Sequence, residues 1–255
     1  MIYVGLSRYT EESIEQLINL DAEGIVLGDL LCERKMFPNG GVEVLDIMRH
    51  LAYKNTSVIY QTPMYATDRI FSTILEKVSY YYEKNLIDAV IVQDIGLASS
   101  ICSKCKGITV IWGRMGYART PVINKETISF YMKHGVGAFE CKNAEQAKYA
   151  RMIGAVVYQV YGYPKYLTIN RECYYRFEHN IFDAECGDGC LKHEKMLIPA
   201  NQGIEVSVDG YVLGWENVYD NRNIEIASDF ENHIIYAESI SVAEEIIGRI
   251  ATNNR

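Results

Sequence analysis

Residues 88–113 read DAVIVQDIGLASSICSKCKGITVIWG, and the order of patterns inside this stretch decides the fold. Ala89–Asp94 is an apolar run rich in branched side chains and short enough for a strand. Ala98–Cys105 follows with a helical pattern, and Thr109–Trp112 supplies a second short apolar run. Two such runs with a helix between them indicate parallel strands buried on both faces, because the connecting helix covers the sheet.

The same alternation extends in both directions. Strands are predicted at Ile2–Leu6, Gly24–Leu31, Ser57–Gln61, Ala89–Asp94, Thr109–Trp112, Gly137–Cys141 and Val156–Tyr161. Helical patterns fall between them at Glu11–Leu20, Val42–Tyr53, Thr67–Lys84, Ala98–Cys105, Lys125–His134 and Ala144–Ile153. With one more strand near Tyr211–Trp215, these units would close a TIM-like (β/α)8 barrel. The alternative within the α/β class is an open doubly wound sheet, which often carries a glycine-rich phosphate loop after its first strand; the sequence has none there. The expectation is a single barrel domain over residues 1–255. After the seventh strand the helical period is lost, and 163–208 reads as an irregular, Cys-bearing insertion at the C-terminal mouth, the face where barrel active sites lie. The final residues, ATNNR, read as frayed.

Apolar residues make up 49% of the 255, enough to fill a sizeable core. Lys plus Arg total 25 against 33 for Asp plus Glu, a net charge of −8, and there is no basic run. That balance argues against gripping a nucleic-acid backbone. No apolar run approaches the roughly 18 residues of a membrane span. The start, MIYVGLSRYT, enters a strand pattern directly, without the charged and apolar regions of a secretory signal. A cytoplasmic, reducing setting is expected, where seven cysteines are ligands and thiols rather than a disulfide framework.

Three of those cysteines cluster as C(173)YYRFEHNIFDAEC(186)GDGC(190), a Cys-x12-Cys-x3-Cys run. A structural free cysteine hides among apolar groups. Cys186 and Cys190 are flanked instead by Glu185, Gly187, Asp188 and Gly189, which suit a tight turn. Thiolates gathered on such a turn form a ligand set for zinc or an iron–sulfur cluster. Cys32, directly after the second strand, reaches the same barrel face as the insertion, so Cys32, Cys173, Cys186 and Cys190 make the better quartet. A set built from Cys102, Cys105, Cys186 and Cys190 would need ligands from opposite barrel ends. Cys102 and Cys105 read as helix-packing thiols, and Cys141 as a residue near the site.

Arg8, Asp94, Arg114 and Glu140 stand at strand ends, where barrels place chemistry. Asp94, Arg114 and Glu140 are the candidate catalytic residues; the competing reading is that they are caps or rim charges. Arg8 or Arg114 would suit an anionic substrate as a bidentate partner. His179 and His193 are extra ligands, proton shuttles or solvated loop side chains. His193-Glu194 lacks the second histidine of a zinc-protease helix. Among the 20 tyrosines, Tyr80–Tyr82 and the set Tyr158, Tyr161 and Tyr163 either line an aromatic pocket or decorate the surface.

GDLLCERK (28–35), YGYPKYLTINREC (161–173), DAECGDGC (183–190) and VSVDGYVLGWENVYD (206–220), together with the β/α order, resemble the collagenase-like peptidase family U-32. The nearest likeness is to its branch acting in oxygen-independent ubiquinone hydroxylation. The resemblance implies that Cys32, Cys173, Cys186 and Cys190 hold a 4Fe–4S cluster, with zinc as the alternative occupant. It also implies that Asp94 matches the family's strand-four motif, that prephenate is the oxygen donor, and that a second family subunit completes a heterodimer. The expected function is a cluster-bearing component of a hydroxylation system acting on an aromatic or quinone-like small molecule, without nucleic acid. A U-32 peptidase, a nucleic-acid-modifying relative and a non-catalytic iron–sulfur scaffold are the alternatives. A polar pocket at the barrel mouth would separate the hydroxylase component from the scaffold.

Overall fold

The computed structural model describes residues 1–6, 9–28, 44–63, 68–113, 124–162, 164–169, 196–200, 204–209, 212–219, 226 and 230–253. Eight parallel strands close into a barrel. They are β1 (Ile2–Leu6), β2 (Gly24–Leu27), β3 (Ser57–Gln61), β4 (Ala89–Val92), β5 (Thr109–Trp112), β6 (Ala138–Cys141), β7 (Val156–Tyr161) and β12 (Asn232–Ala237). Closure comes from β12, which pairs with β1 from Ile2↔His233 to Leu6↔Ala237 and with β7 from Asn232↔Tyr158 to Ile235↔Tyr161. The helices are α1 (Glu11–Ile18), α2 (Val44–Tyr53), α3 (Asp68–Glu83), α4 (Ile95–Lys104), α5 (Lys125–Lys133), α6 (Ala144–Met152) and α7 (Ile240–Asn253). The TIM-like (β/α)8 architecture is therefore the one the alternation predicts.

Polar residues just past the strands start the helices. Thr10, Asp94, Asn124 and Asn143 are N-caps of α1, α4, α5 and α6, each side chain accepting a backbone N–H three residues on. In α1 the cap is reciprocal, since the Ser13 hydroxyl oxygen also accepts from the Thr10 N–H. The returns to the sheet repeat one device. Asn55, Asn85, Gly107, Gly135 and Gly154 each take a positive φ about two residues past a helix end, the left-handed position that terminates a helix.

Two apolar layers follow from the strict alternation of the strands. Inside the barrel lie Tyr3, Val26, Ile59, Ile91, Ile111, Tyr158 and Ile234 with their neighbours. Between sheet and helices lies the larger core, with Val4, Leu27, Tyr60, Val90, Phe139, Leu51, Val78, Ile101 and Ile246.

The eighth barrel strand is Asn232–Ala237, not the predicted Tyr211–Trp215. Nor is 163–208 without regular structure. Between β7 and β12 the chain forms β8 (Pro164–Ile169), β9 (Met196–Ala200), β10 (Ile204–Asp209) and β11 (Val212–Tyr219), an antiparallel sheet in the order β8-β11-β10-β9. The physical reason is Asp209-Gly210 between two strand-forming runs, a hairpin signal that a parallel barrel strand cannot carry.

Among the described residues no helix lies between β7 and β12. The outer faces of these two strands carry buried polar and aromatic groups beside the apolar contacts with α6 and α7. The Tyr161 hydroxyl donates to Gln159 Oε1 at 2.8 Å and lies 2.9 Å from His233 Nδ1, the two rings stacked. Beside them Phe230 is buried and carries the Arg151 guanidinium 4.4 Å above its ring.

Candidate functional site

At the C-terminal end of the barrel the interior changes from apolar to polar. Ile59 and Ile91 face inward, so two residues further along their strands Gln61 and Gln93 face inward as well. On β6 the inward positions are Ala138 and Glu140, and on β12 Ile234 and Tyr236. Glu140 is fully buried, 0% exposed. A buried carboxyl group needs partners, and the Tyr236 hydroxyl donates to its Oε1 at 2.7 Å.

Gly113 lies between Gln93 and Glu140. Ile91, Ile111 and Ala138 are register partners across β4, β5 and β6, and the next inward positions are Gln93, Gly113 and Glu140. Having no side chain, Gly113 leaves space that Gln93 fills: a Cβ there would stand 2.8 Å from both Gln93 Cγ and Nε2. Both amide atoms of Gln93 and Nε2 of Gln61 are buried without a hydrogen-bond partner among the described residues. Groups in that state are rare in native proteins and demand an explanation.

Of the sequence-predicted site residues, Cys32, Cys173, Cys186, Cys190, Arg8, Arg114, His179, His193 and Tyr163 lie outside the described residues. Asp94 caps α4, its Oδ1 accepting from the Leu97 N–H at 2.8 Å. Its parity places it with Val90 and Val92 toward the helix layer, whereas Glu140 points inward, so the two do not share a face.

Three thiols are described. Cys102 Sγ donates to the Gly135 carbonyl at 3.1 Å, and burial, then the nearby Cys105, raises its pKa. Cys105 is buried, with Sγ 3.5 Å from Ser79 Oγ. Cys141 faces the helix layer, and burial pushes its thiol up to about 12, with Glu140 adding to the rise and Arg151 opposing it. All three are packing thiols. Among the described residues no group of His, Cys, Asp and Glu could hold a metal ion, and no helix is long and apolar enough to cross a membrane.

The tyrosines divide. Tyr158 faces the barrel interior, its hydroxyl pushed up to about 12 by burial and then by Tyr3. Tyr161 belongs to the outer polar cluster, and Tyr82 packs on the helix layer with its hydroxyl donating to the Lys106 carbonyl at 2.7 Å. Sequence reasoning passed over Gln61, Gln93 and Tyr236. The signal was present: SVIYQ and AVIVQ each end an apolar run with a glutamine at inward parity.

Fold and site together define a (β/α)8 barrel whose C-terminal mouth is floored by a polar layer. Among solved structures the chain is similar to a U32 peptidase, with 16% identity, a TM-score of 0.55, and coverage of 93% of this chain and 92% of that one. It is also similar to a type I 3-dehydroquinate dehydratase from Clostridium difficile, at 10% identity and TM-score 0.42, over 62% of this chain and 73% of that one. A glycerophosphodiester phosphodiesterase from Parabacteroides distasonis matches at 9% identity and TM-score 0.45, over 62% and 83%. At these identities the likeness is one of fold. No family model matches the chain, and no curated protein does.

Proposed function

We propose that the chain is a U-32-type barrel of the UbiV kind, the cluster-bearing component of an oxygen-independent hydroxylation system acting on an aromatic or quinone-like molecule. The observation that carries this reading is the polar layer of Gln61, Gln93, Glu140 and Tyr236 at the barrel end from which the cysteine-bearing segments leave. Cys32 follows β2, and Cys173, Cys186 and Cys190 fall between β8 and β9, beyond the end of β7. Both β2 and β7 are parallel members of one barrel, so the chain leaves both at that same end. A scaffold would have no use for amides buried there and unpartnered among the described residues. The similar U32 peptidase, which spans nearly the same length, supports the family part of the proposal.

Four thiolates suit a 4Fe–4S cluster, which would supply electrons one at a time at a potential tuned by burial and hydrogen bonds to sulfur. In this reading the barrel residues bind and orient the substrate, prephenate supplies the oxygen atom, and a second family subunit completes the assembly. Asp94, Arg114 and Glu140 are the proposed catalytic group. Glu140 is the best placed of them, because it points into the barrel. Peptidase activity is the second reading, supported by the name of the structural relative. Against it, burial raises the pKa of the Cys102 and Cys141 thiols, and among the described residues no cysteine sits beside a histidine base.

Purification without oxygen, followed by iron, acid-labile sulfide and visible absorbance, tests the proposal. About four irons and four sulfides per chain are expected for such a cluster, lost in Cys173→Ala, Cys186→Ala or Cys190→Ala. Stoichiometric zinc with no sulfide would overturn it.

A further inference from the structure

We infer that the N-terminal face of the barrel, the end opposite the polar layer, is the interface through which two copies of this chain form a two-fold dimer. This goes beyond the proposed function and does not depend on the cluster.

The helices run back against the strands, so helix ends and strand starts gather at this face. The exposed large apolar side chains beyond Met1 gather there too. Tyr53 ends α2, Met152 ends α6, Val156 opens β7, and Tyr80 and Phe130 lie in the final turns of α3 and α5. Among the described residues only Ile70 stands toward the other end. Tyr53 is 82% exposed and Met152 64%. Apolar residues scattered singly over a surface need no explanation, but a set confined to one end marks a contact surface.

Charge says what covers it. The returns into β5, β6 and β7 carry Lys104, Lys106, Lys133 and Arg151 and no carboxylate. The returns into β2 and β12 carry Asp21, Glu23 and Glu231, with no lysine or arginine among the described residues. A basic last turn suits the negative end of a helix; α4, α5 and α6 have one and α1 has none, so the face is divided rather than uniformly basic. Round the closed barrel the two arcs lie on opposite sides. A two-fold axis in the plane of the face, running from between β3 and β4 to between β7 and β12, lays each arc on the other arc of the second copy. The β2 return then meets the β5 return, Asp21 and Glu23 against Lys104 and Lys106. Glu231 comes opposite Arg151, and Lys54 opposite Glu83. Tyr53 and Tyr80 meet across the axis at one end, and Met152 and Val156 lie beside it at the other. An isologous interface has to be self-complementary in this way, and central aromatic anchors with charges around them are its usual anatomy. A partner of one sign of charge would be repelled by one of the two arcs. Both C-terminal mouths of the dimer point outward and stay open.

The full chain, purified without oxygen, is followed by sedimentation velocity over a dilution series. A species of twice the 29.1 kDa chain mass is expected, dissociating more readily as salt is raised, because exposed charge pairs are screened. Lys104→Glu and Asp21→Lys each set like charges against one another and weaken the dimer by about ten-fold or more. Equimolar mixing of these two variants restores opposite charges at both contacts and brings the dimer back, which a folding defect would not allow. Tyr53→Ser removes an anchor beside the axis and weakens the dimer as well, whereas Ile70→Ser leaves it as in wild type. A chain that stays monomeric up to about 100 µM overturns the interface. So does a dimer that Lys104→Glu and Tyr53→Ser leave intact, or a pair of variants that mixing fails to restore.

Discussion

The hydroxyl of Tyr236 donates to Glu140 Oε1 at 2.7 Å, joining β12 to β6 through the barrel interior past the intervening β7. The contact fixes a carboxyl group that is wholly withdrawn from solvent and sets the height of the polar layer. Removing the donor while keeping the ring isolates its contribution. Tyr236→Phe is expected to lower stability by about 1–3 kcal/mol, the range for a buried group that loses a partner. Urea unfolding measures it, and an unchanged midpoint would mean that Glu140 is held by its other contacts alone.

Gly28 offers a sharper backbone test. It has φ +114°, and a Cβ there would press into the Gln61 carbonyl oxygen far inside van der Waals contact. Gly28→Ala is both strained and clashing, so a loss of about 3 kcal/mol or more is expected. Gly154→Ala, whose Cβ would enter open space at φ +79°, serves as the control and should cost about 1 kcal/mol.

His233 sets an acid limit. Burial first, then the charge of the chain's amino terminus, lowers its pKa from 6.5 to about 4, while a hydrogen bond to the Phe230 backbone and the Glu23 carboxylate pull the other way. The folded state thus binds fewer protons than the unfolded state between those values. Stability contributed by neutral His233 is complete above pH 6.5 and is lost as pH falls toward 4. His233→Gln should flatten the fall between pH 6.5 and 4, read from urea midpoints at each pH. A slope equal to wild type would assign the acid sensitivity to other groups.

Cysteine variants should separate into two sets. Cys186→Ala and Cys190→Ala are expected to lose iron and to become protease-sensitive within 173–190 together, since ordering about 1–2 kcal/mol per residue needs the metal bonds. Cys102→Ala should keep iron and lose about 1 kcal/mol, the donor to Gly135. Loop protection in Cys186→Ala equal to wild type would show a segment that folds without its ligands.

Much of the barrel was legible because alternation and period are local. Ile2–Leu6, Ser57–Gln61, Thr109–Trp112 and Val156–Tyr161 are strands to the residue. The boundaries moved where a polar side chain changes role. Asp94, read as the end of a strand, turns out to cap α4, which starts at Ile95 rather than Ala98. Beyond Tyr161 local pattern was insufficient. VLGWENVY and NHIIYA are both plausible barrel strands by composition, and only long-range pairing with β1 selects the second. The helix at Ile240–Asn253 follows that strand and was missed with it. In the site, Glu140 was visible as a charge at a strand end. Gln61 and Gln93 were not, because a neutral amide draws no attention until its lack of a partner is seen.

The pairing of β1 with β12 has a consequence for synthesis. Residues 2–6 leave the ribosome well before their partner at 232–237. Until then both β1 and β7 present an unpaired edge, the exposed template that invites association with other chains. The inserted sheet lengthens that interval, so a nascent chain of this protein carries its greatest aggregation hazard just before the barrel closes.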